Sequence, residues 1–214
     1  SWGTQTVEPS AEFVADTAVR RIPALVTQDF TLTESHAICD YLNGEFGNDK
    51  LLAHEGAARW QALAAISLAN AAIEAQIMRR AELLRGDVNR SDDFLAKMRD
   101  RQMRCLAALE KDHLPHFGPT FDLAQITTAV ACGYDEWRYG PGWRQAAPKL
   151  AAWYDRVAGR PSMKAMSGSV LISIGSPLTT CSVATLPGST VPSRSPTPAM
   201  VAAQCGHFDS GVTA

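Results

Sequence analysis

Chemistry in this chain has few places to sit. The acid–hydroxyl pair Glu34-Ser35 follows Thr33 and precedes residues with helical spacing, so a carboxylate, a hydroxyl and unpaired helix amides meet at one helix start. By residue type alone that is a helix cap. Arg21 and Pro23 flank Ile22 just ahead of an apolar run, and taken alone they read as a solvated charge and a turn proline. His113 and His116 invite a metal reading, but Pro115 and Gly118-Pro119 surround them and no helix bearing carboxylates is near, so they are read as loop histidines. Cys39, Cys105, Cys132, Cys181 and Cys205 contain no Cys-x-x-Cys pair. Their odd number and scatter exclude a zinc framework or a disulfide scaffold and imply reduced thiols in a cytoplasmic protein.

Several elements must hold these residues. "ALVT" and "FTLT" are β-prone runs separated by Gln28-Asp29, which predicts a hairpin. "ESHAICDYLNG" then predicts a helix ending near Gly44. Ahead of them, Thr4–Glu8 is β-prone and Ser10 opens a short helix. From Leu51 the pattern is that of long helices. Trp60, Leu63, Ala64, Leu68, Ala71 and Ile77 form an apolar stripe on one that runs to about Arg85. Ser91 with Asp92 and Asp93 starts the next, whose buried side is Phe94, Leu95, Met98, Cys105, Leu106 and Leu109. Asp122, three residues before Gln125, is an Asp variant of the capping box, followed by Leu123, Ile126 and Val130. Pro148 suits the first turn of a last helix with Leu150, Trp153 and Val157 inward and Gly159 at its end.

The chain has 214 residues and a formal net charge of −2, enough for a real core and no basic field for nucleic acid. The basic stretches "MRRAELLR" and "RDRQMR" carry interleaved acids and read as wet helix faces. No apolar run approaches the roughly 20 residues a membrane span needs, and "SWGTQTVEPS" has no signal-peptide pattern. After Met166 the composition turns to Ser, Thr, Pro and Gly, which predicts a disordered tail over residues 167–214.

In order along the chain, "SAEFVADTAVRRIPAL", "LTESHAICDYL", "FDLAQI" and "LAAWYDRVAGRPSM" resemble the cytosolic glutathione transferases over residues 10 to 166. The resemblance implies a mainly α chain with a small α/β part. An incomplete thioredoxin-like domain (residues 1–47, first strand and helix missing) would precede an all-helical domain (residues 51–166). It also implies that Pro23 is cis and turns the Ile22 main chain toward the cysteinyl backbone of glutathione. Ser35 would then receive the γ-glutamyl carboxylate at a helix N-terminus, Glu34 the ammonium of the same zwitterion, and Arg21 the glycyl carboxylate. Glutathione is the implied co-substrate, with no metal, and a small apolar electrophile is the implied partner, held in a pocket lined by the long helix starting near His54. A homodimer is implied too.

The chain departs from the family pattern in ways that bear on activity. A transferase must lower the thiol pKa from its free value of about 8.5. The donor that does so follows the first strand, and roughly 40 residues are needed before the proline to hold strand, helix, strand and helix. Residues 1 to 22 suffice for one strand and one helix, so no thiol-activating residue is identified and Ser1, Thr4 and Thr6 carry little weight for that role. Arg20 stands where the family has Gly, and Thr17-Ala18 where it has Asn-Pro. The expectation is a glutathione transferase-like chain that binds glutathione and, if complete, conjugates it to an electrophilic substrate, with a non-catalytic binding or interaction module of the same fold as the alternative.

Overall fold

The computed structural model describes residues 14–15, 17–19 and 23–166. They fall into two compact units divided between Glu45 and Phe46, each taken here by itself. The β-prone segment 4–8, the helix start at Ser10, the departure at Arg20 and the tail 167–214 lie outside the described residues.

In the first unit, β1 (Leu25–Val26) pairs antiparallel with β2 (Thr31–Leu32), Leu25 opposite Leu32 and Val26 opposite Thr31. Thr27 organises the turn between them. Its hydroxyl accepts from the amides of Asp29 (3.3 Å) and Phe30 (3.0 Å) and donates to the Phe30 carbonyl at 2.8 Å. A hydroxyl folded onto its own turn substitutes for missing ladder bonds in so short a hairpin. The helix α1 (Ser35–Phe46) follows, with Ile38 buried and Tyr41 edge-on to Phe30 at 5.4 Å. It does not stop at Gly44. One glycine late in a helix costs only about 1 kcal/mol, and the chain turns instead at Asn48 and Asp49, whose φ values of 49° and 53° lie in the left-handed region these two residue types tolerate.

The second unit is all helical: α2 (Gly56–Leu83), α3 (Asp92–Ala108), α4 (Leu123–Tyr139), α5 (Pro148–Ala158) and α6 (Pro161–Met166). A π turn (Leu109–His113) and a 3-10 turn (Leu114–His116) prolong α3, and a second 3-10 turn (Pro141–Gln145) links α4 to α5. The core forms where α3 and α4 pack on α2. There α2 buries Ala65, Ala69, Ala72 and Gln76, at steps of four, three and four. Small residues on that stripe let the neighbouring helices approach closely. This corrects the stripe expected from sequence, because Trp60 is 68% exposed and Ala64 and Ile77 face outward too. On α3, Met98, Gln102, Cys105 and Leu109 point inward as a regular seam.

Helix ends are closed by side chains. Ser91 Oγ accepts from the Phe94 amide at 3.2 Å, while the buried Glu82 accepts from the Ser91 amide at 2.6 Å. Asp122 accepts from the Gln125 amide at 2.9 Å, as the capping box requires, but the Gln125 side chain donates to the Gly118 carbonyl at 3.0 Å rather than back to the cap. Burial of Asp122 holds its carboxyl above the usual range. Pro148 opens α5, and Glu110 from the π turn accepts from the Leu150 amide at 2.8 Å. Leu150 and Trp153 are buried as expected, with Trp143 fully enclosed beside Tyr154. Of the α4 stripe, Leu123 is buried, but Val130 faces solvent and the inward side is Ala124, Thr128, Cys132 and Asp135.

Candidate functional site

The hairpin and the start of α1 form the candidate site. Half-buried Pro23 leads into buried Ala24 and Leu25, so the chain enters β1 anchored. The Ile38 amide donates to the Glu34 carbonyl at 2.9 Å, which makes Glu34 the backbone cap and Ser35 the first helical residue. The first-turn amides therefore have no partner within the helix. Neither the Glu34 carboxylate nor the Ser35 hydroxyl hydrogen-bonds or ion-pairs with a described residue, and both side chains are exposed. The cap reading of these two side chains is thus not realised. α1 has no acidic residue in its first turn, so the Glu34 carboxylate is the negative charge next to the partial positive charge at that end. The arrangement offers a carboxylate acceptor, a hydroxyl and helix amides to a zwitterion. Arg21 and Ile22, and with Ile22 the isomer of the Ile22–Pro23 bond, lie outside the described residues.

Other candidates resolve more simply. Burial raises the thiol pKa of half-buried Cys39 on α1, away from a reactive thiolate. His113 and His116 fall in the turns after α3, and no group of three His, Cys, Asp or Glu that could hold a metal occurs among the described residues.

A polar cluster inside the helical unit escaped the sequence reading. Gln102 of α3 donates to Asp135 of α4 at 2.5 Å and accepts from Arg79 of α2 at 2.5 Å, with the Arg79 guanidinium 3.9 Å from the Asp135 carboxylate. Arg79 also lies over the Tyr139 ring, whose hydroxyl donates to the Gln76 carbonyl at 2.5 Å. Three helices thus share one network. Desolvation pushes the Asp135 carboxyl up to about 6, against the lowering effect of Gln102, Arg79 and Arg99. A signal existed: Gln102 is four residues after Met98 and three before Cys105, so it must face inward with them. Reading "RDRQMR" as a wet face holds for Asp100 and Arg104, an i,i+4 ion pair, and fails for Gln102.

A thioredoxin-like unit followed by an all-helical one defines the class of this chain. Residues 4–44 match the family model of the glutathione S-transferase N-terminal domain. A glutathione transferase family member from Pseudomonas fluorescens Pf-5, solved with bound glutathione, is 35% identical, with a TM-score of 0.70 over 77% of this chain and 82% of that one. The chain belongs to the glutathione transferase family. Two further solved structures share the fold. A glutathione S-transferase from Methylobacterium radiotolerans JCM 2831, in complex with glutathione sulfonate, is 23% identical (TM-score 0.64, 76% of this chain and 77% of that one). Human glutathione-S-transferase T1-1 in its apo form is 22% identical (TM-score 0.59, 77% and 73%). No curated protein matches the chain at a significant level.

Proposed function

We propose that this chain binds glutathione and acts as a glutathione S-transferase, joining the thiol sulfur to a small apolar electrophile. One observation carries the reading: α1 begins with two polar side chains, Glu34 and Ser35, that have no partner among the described residues, directly after Pro23 and the hairpin. A relative 35% identical over most of its length was solved with glutathione bound. In this reading Ser35 and the α1 amides take the γ-glutamyl carboxylate, and Glu34 takes the ammonium. The Ile22 main chain before Pro23 pairs with the cysteinyl backbone, and Arg21 meets the glycyl carboxylate. The protein works in the cytoplasm, in keeping with free Cys39, Cys105 and Cys132. No described helix is long and apolar enough to cross a membrane. It self-associates as a homodimer, for which exposed Trp60 and Ile77 on α2 supply apolar surface.

The alternative, a binding module without turnover, is favoured by one fact. Burial raises the pKa of the Cys39 thiol on α1, away from a reactive thiolate. Retention on glutathione resin followed by a conjugation assay with an aromatic electrophile separates the readings. Retention with turnover is expected; retention without turnover selects the module, and loss of both refutes glutathione recognition.

A further inference from the structure

The two described parts of the candidate site lie at one end of the hairpin. Leu25 faces Leu32 and Val26 faces Thr31, so Pro23 leads into β1 at the same end where Glu34 and Ser35 leave β2. The ladder between the strands is two residue pairs long, too short to fix that end by itself. The opposite end is closed firmly. The Thr27 amide and hydroxyl both donate to the Phe30 carbonyl, at 2.9 and 2.8 Å, and the hydroxyl accepts from the Phe30 amide at 3.0 Å. The Phe30 main chain is thereby held at the turn, yet Phe30 is 42% exposed. Its ring reaches Tyr41 of α1, edge to face, with centroids 5.4 Å apart and planes at 89°. That contact closes a triangle. From Phe30 the chain runs through β2 to Glu34, about 13 Å when extended. It then turns into α1 and returns from Ser35 to Tyr41 over about 9 Å of helix. Glu34 and Ser35 form the corner, and the ring pair is the third side. Buried Ile38 seats α1 on its unit, and the ring pair one turn further on sets its tilt.

We propose that Phe30 and Tyr41 are positioning residues for glutathione. The proposal rests on the glutathione reading above and adds what sets the affinity of that site. The ring pair holds α1 at the tilt that aims Ser35 and the first-turn amides at the γ-glutamyl carboxylate, while the main chain before Pro23 takes the cysteinyl backbone. Both ends of one ligand must be met at once, so the angle at the Glu34-Ser35 corner decides how well they are met together. Neither ring has to touch the ligand. The pair acts by raising the fraction of molecules in which α1 already points the right way, and apparent affinity scales with that fraction. An edge-to-face aromatic pair supports an effect of about two- to twelvefold.

The test titrates the full chain with glutathione by calorimetry, beside circular-dichroism melts that show each variant folded at the titration temperature. Phe30→Ala should bind about three- to tenfold more weakly than the parent, and Tyr41→Phe, which keeps the ring pair, should stay within about twofold. Phe30→Leu, which keeps apolar bulk without the ring edge, gives the same comparison should the alanine variant melt too low. A second readout separates positioning from plain stability. In the Ser35→Ala background the hydroxyl that the pair aims is already gone, so adding Phe30→Ala should weaken binding by a smaller factor than it does in the parent. A turn residue that only stabilises the fold would cost the same factor in both backgrounds. A Phe30→Ala affinity within about twofold of a glutathione-binding parent overturns the proposal and leaves glutathione recognition standing, as does an equal loss in the two backgrounds. A parent that does not bind glutathione removes recognition and the proposal together.

Discussion

Ser35→Ala separates ligand recognition from helix capping. The Ser35 hydroxyl is exposed, stands at the first position of α1 and has no partner among the described residues. Its removal breaks no internal hydrogen bond, and Ala is the better helix former, so stability should stay within about 0.5 kcal/mol of the parent. Glutathione would lose one hydrogen bond to its γ-glutamyl carboxylate. A hydrogen bond to a charged group contributes about 1.5 to 3 kcal/mol, so affinity should fall about 10- to 150-fold. Calorimetric titration with glutathione reads the first quantity and urea unfolding followed by circular dichroism the second. Ser35→Thr, which keeps the hydroxyl, should recover most of the affinity. An Ala variant whose affinity changes less than twofold refutes the recognition role. One that loses about 1 kcal/mol or more of stability with unchanged binding returns Ser35 to the role of a cap.

Three further outcomes follow from the helical unit. Asp122→Ala removes the acceptor of the buried Gln125 amide; the loss should be about 2 kcal/mol, read as a lower melting temperature, and Asp122→Asn should restore at least half. Glu82→Ala leaves the Ser91 amide without its 2.6 Å acceptor and should cost about 1 to 3 kcal/mol, with faster hydrogen exchange in the first turn of α3. The third concerns pH. Asp135 binds its proton more tightly folded (about 6) than unfolded, so its contribution to stability is greatest below about pH 4 and falls as the pH rises to about 6. Asp155, whose carboxyl Arg144 holds below the usual range, acts in the opposite sense and loses its contribution as the pH falls. The difference between parent and Asp135→Asn in urea melts isolates the first effect, and a difference that stays constant from pH 4 to 7 refutes it.

What the sequence disclosed, and what it hid, divides along physical lines. Local chemistry was readable. Ser91 and Asp122 announce helix starts because a side-chain oxygen there can accept from the amide three residues on, which has no partner within the helix, and both bonds form. The two β-prone runs predicted the hairpin for the same reason, although Thr27 rather than Gln28-Asp29 controls the turn. The phase of α2 was not readable. Its apolar residues lie on nearly every side, so periodicity cannot choose a face. The choice falls to the alanines, whose small volume matters only once α3 and α4 are there to approach them.

The same distinction separates the two polar groupings. Glu34 and Ser35 were visible because they sit next to each other at a recognisable helix start. Arg79, Gln102 and Asp135 are 23 and 33 residues apart and meet only after three helices have packed, so each looked like one more polar residue on a helix. Their burial is also what makes them different in kind. A charge at the exposed start of α1 is screened and interacts with what arrives from solvent. Asp135 is desolvated, and its protonation state is coupled to how α2, α3 and α4 share Arg79. Substituting Gln102 by Leu would remove the donor to Asp135 and the acceptor of Arg79 together. It should therefore raise the Asp135 carboxyl further and steepen the pH dependence of stability, whereas a Gln102 that merely fills space would leave that dependence unchanged. Carbon-detected NMR titration of the Asp135 carboxyl in both proteins distinguishes the two.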